Sequence, residues 1–163
     1  MTASRNNHPA PSLSQEDTIA LNQLAFRYAA AVDACDVDAF LAVFTRDGRL
    51  RCYHPDAHEP FADLTGHEQL AAVPDVMRGQ YRRTAHMMTN HLVAVHGDAV
   101  TGEVLCMARH LRADPQDQTS INVVIRYVDR YARDNGTWRI ADRQIRFLWS
   151  ERHQVVDSGM GWG

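Results

Sequence analysis

The spacing of apolar residues changes period once along this chain. From Ile19 onward Leu21, Leu24, Ala25, Tyr28, Ala29 and Val32 recur at steps of three and four, which predicts an amphipathic helix ending near Ala34. Ser14-Gln15-Glu16-Asp17 supplies a capping-box-like start with acids in the first turn. Asp36 can cap a second, shorter helix through Val37, Phe40, Leu41 and Phe44, with Asp47-Gly48 as its stop. A strand is expected over 49–53, then a loop set by Pro55, Asp56 and Pro60 that returns through Phe61 to Leu64. A third helical pattern covers 68–73 and is interrupted at Pro74.

After Tyr81 the pattern becomes one of strands. Long runs over 84–96, 100–112, 121–133 and 138–149 are joined by Gly97-Asp98, the polar segment 114–119, and Asp134-Asn135-Gly136. Asn-Gly between two such runs is a hairpin signal, so the four strands read as an antiparallel meander. Helices first and strands after them give an α+β class, with helices packed on one face of a curved sheet. Residues 1–13 read as a flexible tail, 14–149 as one domain, and 150–163, with Trp162 among glycines, as an arm or tail.

Composition narrows the function more than the fold. A net charge of −3 across 163 residues, without a cluster of lysine and arginine interleaved with aromatics, argues against nucleic acid. No apolar run approaches the ~20 residues of a membrane span, and 1–15 lacks the apolar centre of a signal peptide, so a cytoplasmic protein off the membrane is expected. Cys35, Cys52 and Cys106 are odd in number and contain no CxxC pair, which points to buried thiols rather than a disulfide framework.

The stretch Thr84-Ala85-His86-Met87-Met88-Thr89-Asn90-His91 sets a titratable ring among apolar neighbours. Such a placement requires a satisfied partner or a chemical role. Regular alternation puts His86, Met88, Asn90 and Leu92 on one face, and Met87, Thr89, His91 and Val93 on the other. His86 and His91 then cannot share a metal, and with no HExxH or paired acids beside them no metal or cofactor is expected.

Asp33 at the end of the first helix can meet His86 in a pocket between helices and sheet, forming a His–Asp pair able to remove a proton. The alternative has His86 bonded to a backbone carbonyl and Asp33 capping the second helix, a role for which Asp36 competes. His110 is either a second proton donor or a solvated edge histidine. Tyr28 and Tyr53 are candidate hydroxyl donors, and Asn122 and Trp149 candidate pocket residues. Arg126, Arg143 and Arg146 are expected in solvated or interface ion pairs.

The series Tyr28-Ala-Ala-Ala-Val-Asp33, Asp36-Val-Asp-Ala-Phe40, Phe44-x-x-Asp47-Gly48, Thr84-x-His86-x-x-Thr89-Asn90 and Tyr131-x6-Trp138-Arg139-Ile140 resembles the SnoaL-like proteins. These belong to the superfamily of nuclear transport factor and ketosteroid isomerase. The resemblance is nearest to the branch holding scytalone dehydratase, bile-acid dehydratase and hexachlorocyclohexane dehydrochlorinase. It implies a cone-shaped barrel of strongly bent, mostly antiparallel sheet packed on about three helices and enclosing a pocket.

Asp33 and His86 fall where those enzymes keep their catalytic Asp and His, and His110 is similar to the second histidine of scytalone dehydratase. Val32 stands where that enzyme has a catalytic tyrosine. What the resemblance implies is a cofactor-independent lyase of dehydratase type acting on a small hydrophobic or polycyclic substrate. Catalysis would use His86, Asp33, Tyr28 and His110, with Tyr53, Asn90, Met88, Asn122 and Trp149 contacting substrate. An isomerase or polyketide cyclase, and a non-catalytic binding domain, are the alternatives. Self-association as a homotrimer, or a homodimer, is expected.

Overall fold

The computed structural model describes residues 13–114 and 116–155, so Trp162 and most of the predicted N-terminal tail lie outside the described residues. Helix α1 (Gln15–Ala34) begins at Ser14, whose hydroxyl accepts the Asp17 N–H at 3.0 Å, and buries the predicted stripe from Leu21 to Val32. Cys35 ends it in the left-handed region, at φ 49°. Asp36 then caps α2 (Val37–Ala42) by accepting the Ala39 N–H. Helix α2 is shorter than its apolar pattern predicts, because Phe44 already begins a strand, β1 (Phe44–Tyr53).

Asp47-Gly48 is therefore not a helix stop but part of an irregularity inside β1, where the register against its neighbour shifts between Phe44 and Arg49. A Cβ on Gly48 would lie 2.9 Å from the Thr45 carbonyl oxygen, so the bend requires glycine. β2 (Ala62–Thr65) follows, then α3 (Gly66–Leu70) and α4 (Ala72–Gln80). The expected single third helix is thus two short ones that meet at Ala71, with Pro74 tolerated in the first turn of α4.

The meander is present as β3 (Tyr81–His96), β4 (Ala99–Arg112), β5 (Thr119–Asp134) and β6 (Thr137–Gln154). Asn135 and Gly136 both have positive φ, as a tight hairpin demands. Among the described residues six strands form one sheet in the order β2-β1-β6-β5-β4-β3, antiparallel except where β1 runs parallel to β6. Strands β2 and β3 are its edges, so the sheet remains open rather than closing into a barrel. Residues 150–154, expected in the C-terminal arm, continue β6 and pair with β5. Among the described residues no helix is long and apolar enough to cross a membrane.

One departure from regular alternation governs the faces of β3. Met88 pairs with Cys106 but His91 pairs with Val104, so Thr89 and Asn90 together oppose Leu105. This bulge inverts the parity of everything after it. His91 and Val93 turn inward, while Asn90 and Leu92 are exposed, the reverse of the predicted faces.

The inward turn of His91 extends a buried polar chain. His91 Nε2 lies 3.0 Å from the Tyr131 hydroxyl, Tyr131 donates to Asp129, and Asp129 accepts two bonds from Arg143 at 2.8 and 2.6 Å. Gly102 makes room for it, since a Cβ there would meet the Tyr131 hydroxyl at 2.7 Å. Arg143, predicted to be solvated or at an interface, is instead fully buried between the rings of Tyr28 and Tyr127.

Removing one partner of this pair leaves an uncompensated charge in the core. Asp129→Ala should lower the unfolding free energy by about 3–5 kcal/mol, read from urea midpoints. The double variant Asp129→Leu/Arg143→Met should recover most of that loss.

Candidate active site

The last turn of α1 carries Asp33, and because Asp36 has taken the cap of α2, the Asp33 carboxylate is free to turn to β3. Its Oδ1 accepts the Thr84 hydroxyl at 2.7 Å and lies 2.7 Å from His86 Nδ1. Its Oδ2 accepts the His86 backbone N–H at 2.9 Å. Partial burial pushes the Asp33 carboxyl upward, but the bonds from the His86 ring, the His86 backbone and Thr84 outweigh it and hold the group below the ordinary carboxylate range. With Nδ1–H donated to a carboxylate, the His86 lone pair resides on Nε2.

His86 lines a cavity of about 540 Å³ between the sheet and helices α1 and α4. The walls are mostly aliphatic and aromatic, including Val32, Leu50, Val73, Met77, Ile125 and Phe147. His110 lies beside His86 with ring centroids 5.2 Å apart, and packs on Tyr81 at 4.7 Å. It is only 6% exposed, so the reading as a solvated edge histidine is corrected.

Burial, with His86 next, pushes the His110 imidazole down to about 4. It is neutral at pH 7 rather than a cationic acid, and the Ile121 backbone is the one polar partner that favours its protonated form besides Asp33. Its Nδ1 is buried without a partner among the described residues. Tyr28 also lines the cavity, its hydroxyl raised above the ordinary phenol range by burial, with the Arg143 guanidinium over its ring at 4.1 Å.

Thus His86, His110 and Tyr28 line one cavity, with Asp33 bonded to His86, while the five predicted substrate contacts do not line it. Tyr53 follows cavity-lining Cys52 and points to the other face, where its hydroxyl accepts from Arg51 and its ring lies under Arg146. Asn90 is turned out by the bulge. Met88 borders a separate pocket with Phe26 and His91. Asn122 precedes inward Val123 and accepts the Ser120 hydroxyl at 2.8 Å. Trp149 is 55% exposed, opposite Val124 on the outer face.

Sequence reasoning did not single out Thr84, Phe61 or Phe147. Thr84 could have been found, because it lies two residues from His86 on the same side of the strand. The described residues contain no group of three His, Cys, Asp or Glu side chains placed to hold a metal ion.

The family model described as the SnoaL-like domain matches residues 14–144. No curated protein sequence matches the chain. Among solved structures, a protein of Novosphingobium aromaticivorans provisionally named an aromatic ring hydroxylase is 24% identical, with a TM-score of 0.73 over 87% of this chain and 96% of its own. A second protein of that organism, provisionally named a scytalone dehydratase, is 17% identical with a TM-score of 0.72, covering 91% and 95%. Hexachlorocyclohexane dehydrochlorinase LinA-type3 from Novosphingobium barchaimii is 17% identical with a TM-score of 0.72, covering 89% and 92%. At these identities the likeness establishes a common fold.

The depressed His110 value has a consequence for stability. The unfolded chain takes up a proton at this residue near pH 6.5 and the folded chain only near 4. Its contribution is therefore complete above pH 6.5 and lost as the pH falls towards 4, by roughly 3 kcal/mol in all. His110→Gln should flatten the urea midpoint across this window relative to the wild type.

Proposed function

Because this chain belongs to the SnoaL-like domain family, we propose that it is a cofactor-independent lyase of dehydratase type, with His86 as general base. The observation that carries this reading is the 2.7 Å contact between His86 Nδ1 and Asp33, made on the wall of an apolar cavity. Asp33 fixes the tautomer and offsets the charge that His86 acquires. Thr84 and the strand backbone hold Asp33 in turn.

In this scheme Nε2 removes a proton from a carbon beside a carbonyl, the electron pair of that C–H bond becomes a carbon–carbon double bond, and the C–O bond at the adjacent carbon breaks. The departing hydroxide takes the proton now on His86 and leaves as water. Tyr28, neutral, donates a hydrogen bond to an oxygen on which negative charge develops, and neutral His110 packs beside His86 on the same wall. The purely ligand-binding alternative is weakened by two features of the pocket: it is not filled by its own side chains, and the histidine touches the acid.

The test uses a panel of uncharged β-hydroxy ketones, followed by the ultraviolet absorbance of the conjugated product and by loss of water in mass spectra. His86→Ala should reduce kcat by ~10²–10⁴, and Asp33→Asn should reduce it with less effect on KM. Folded variants that retain full turnover overturn the mechanism. Solvent deuterium in an isomeric product, without loss of water, would assign an isomerase instead.

A further inference from the structure

Helix α1 ends in an electrostatically unfavourable way. Its last turn contains no basic residue, and Asp33 places a carboxylate there. An acid at the carbonyl end of a helix adds negative charge where the backbone dipole is already negative. The missing cation comes from α4, where Arg78 donates from Nη2 to the Cys35 carbonyl oxygen at 2.7 Å. Cys35 is the residue that closes α1, two positions after Asp33. Asp75, one turn earlier on α4, forms an ion pair with Arg78 and steers the guanidinium towards this carbonyl.

Helix α4 covers the cavity that His86 lines. One face of it contributes Ala72, Val73, Val76, Met77 and Gln80 to the wall. The helix is nevertheless lightly held. Ala71, where α3 ends and α4 begins, makes no side-chain cap bond. Gly79 stands in the last turn, and nothing beyond its own helix lies within 4 Å of where a Cβ would be. Such a residue weakens a helix without improving its packing. Immediately after it, the Gln80 carbonyl is fixed by the Ala113 N–H at 3.0 Å.

Among the described residues, Arg78 makes the only side-chain hydrogen bond from α4 to another element. Both Arg78 and Asp75 are exposed, so water readily replaces this contact. It is strong enough to bias the position of a short helix and weak enough to break when a ligand passes.

We propose that α4 is a gate over the cavity, hinged at Ala71 and Gly79 and latched by Arg78 on the Cys35 carbonyl. Closing the gate returns the cation to the end of α1, so covering a ligand and bracing the turn that carries Asp33 are one movement. Arg78 is then a positioning residue, since it does not line the cavity and acts through α4 and α1. The coupling to Asp33 deepens the lyase reading and rests on it, whereas the gate itself does not require turnover.

The gate can be read without a ligand, because Cys52 lies on the cavity wall while Cys106 is fully buried away from it. Burial pushes the Cys52 thiol up to about 11, which keeps it unreactive while the cavity is covered. The probe is N-ethylmaleimide, applied to the full chain at constant pH, with labelling of each cysteine followed by peptide mass spectrometry. Arg78→Ala should speed labelling of Cys52 about two- to fivefold and leave Cys106 unchanged, and Arg78→Lys should restore most of the wild-type rate. Gly79→Ala, which fits the open space and stiffens the hinge, should slow Cys52 by about fivefold. In Arg78→Ala the His86 Nδ1 proton, followed by NMR, should exchange with water faster than in the wild type.

Wild-type Cys52 labelling as fast as in the urea-unfolded chain, Cys52 rates that neither Arg78→Ala nor Gly79→Ala changes, or Cys106 accelerated in step with Cys52 overturns the gate. An unchanged His86 proton in Arg78→Ala overturns the coupling to Asp33. Full turnover in His86→Ala would reject the lyase mechanism while the labelling rates stand, so the two failures are told apart.

Discussion

One carboxylate connects the two halves of this fold. Asp33 receives a hydroxyl, a ring nitrogen and a backbone amide from β3, so the helix end and the strand are fixed by the same three bonds that orient His86. Structure and chemistry are therefore not separable at this point. An acid that only paired with the ring would leave the ring free to swing. An acid bound also to the backbone of the same residue ties the ring's position to the strand itself. Asp36 makes this possible from three residues away by meeting the local demand for a helix cap.

Behind the cavity lies a second polar system with a different logic. Arg143 and Asp129 are fully buried, satisfied largely by one another and by Tyr131, and covered by the faces of Tyr28 and Tyr127. Such a pair is costly to desolvate and is retained only where its geometry is well made. Here it fixes the rings of Tyr28 and Tyr127, both of which also line the cavity. The rigid wall of an apolar pocket thus depends on a charge pair that never reaches it.

Much of this was legible in the chain. The helical stripe from Leu21 to Val32, the cap at Asp36, the four long strands and the nearness of Asp33 to His86 follow from spacing and from family resemblance. What was not legible depended on register. A bulge has no composition of its own, and Thr89-Asn90 looks like any other pair in an alternating run, so regular alternation assigns Asn90 and His91 each other's faces. Asp47-Gly48 reads as a turn in isolation, and becomes a bend within β1 only because β6 is there to pair with it. The chemistry of Trp149 and Tyr53 suits a pocket, whereas the parity of their strands sends them to the opposite side.

The parallel pairing of β1 with β6 joins Leu50 to Arg143, positions from opposite ends of the sequence. Closing so long a loop is entropically expensive and is compensated only once both strands are present. The hairpins of β3 to β6 can form from local contacts, but the walls contributed by β1, β2 and Phe61 can join them only after the last strand has emerged. The pocket is thus a late product of folding. Its walls close only when the first and last strands of the domain are in register.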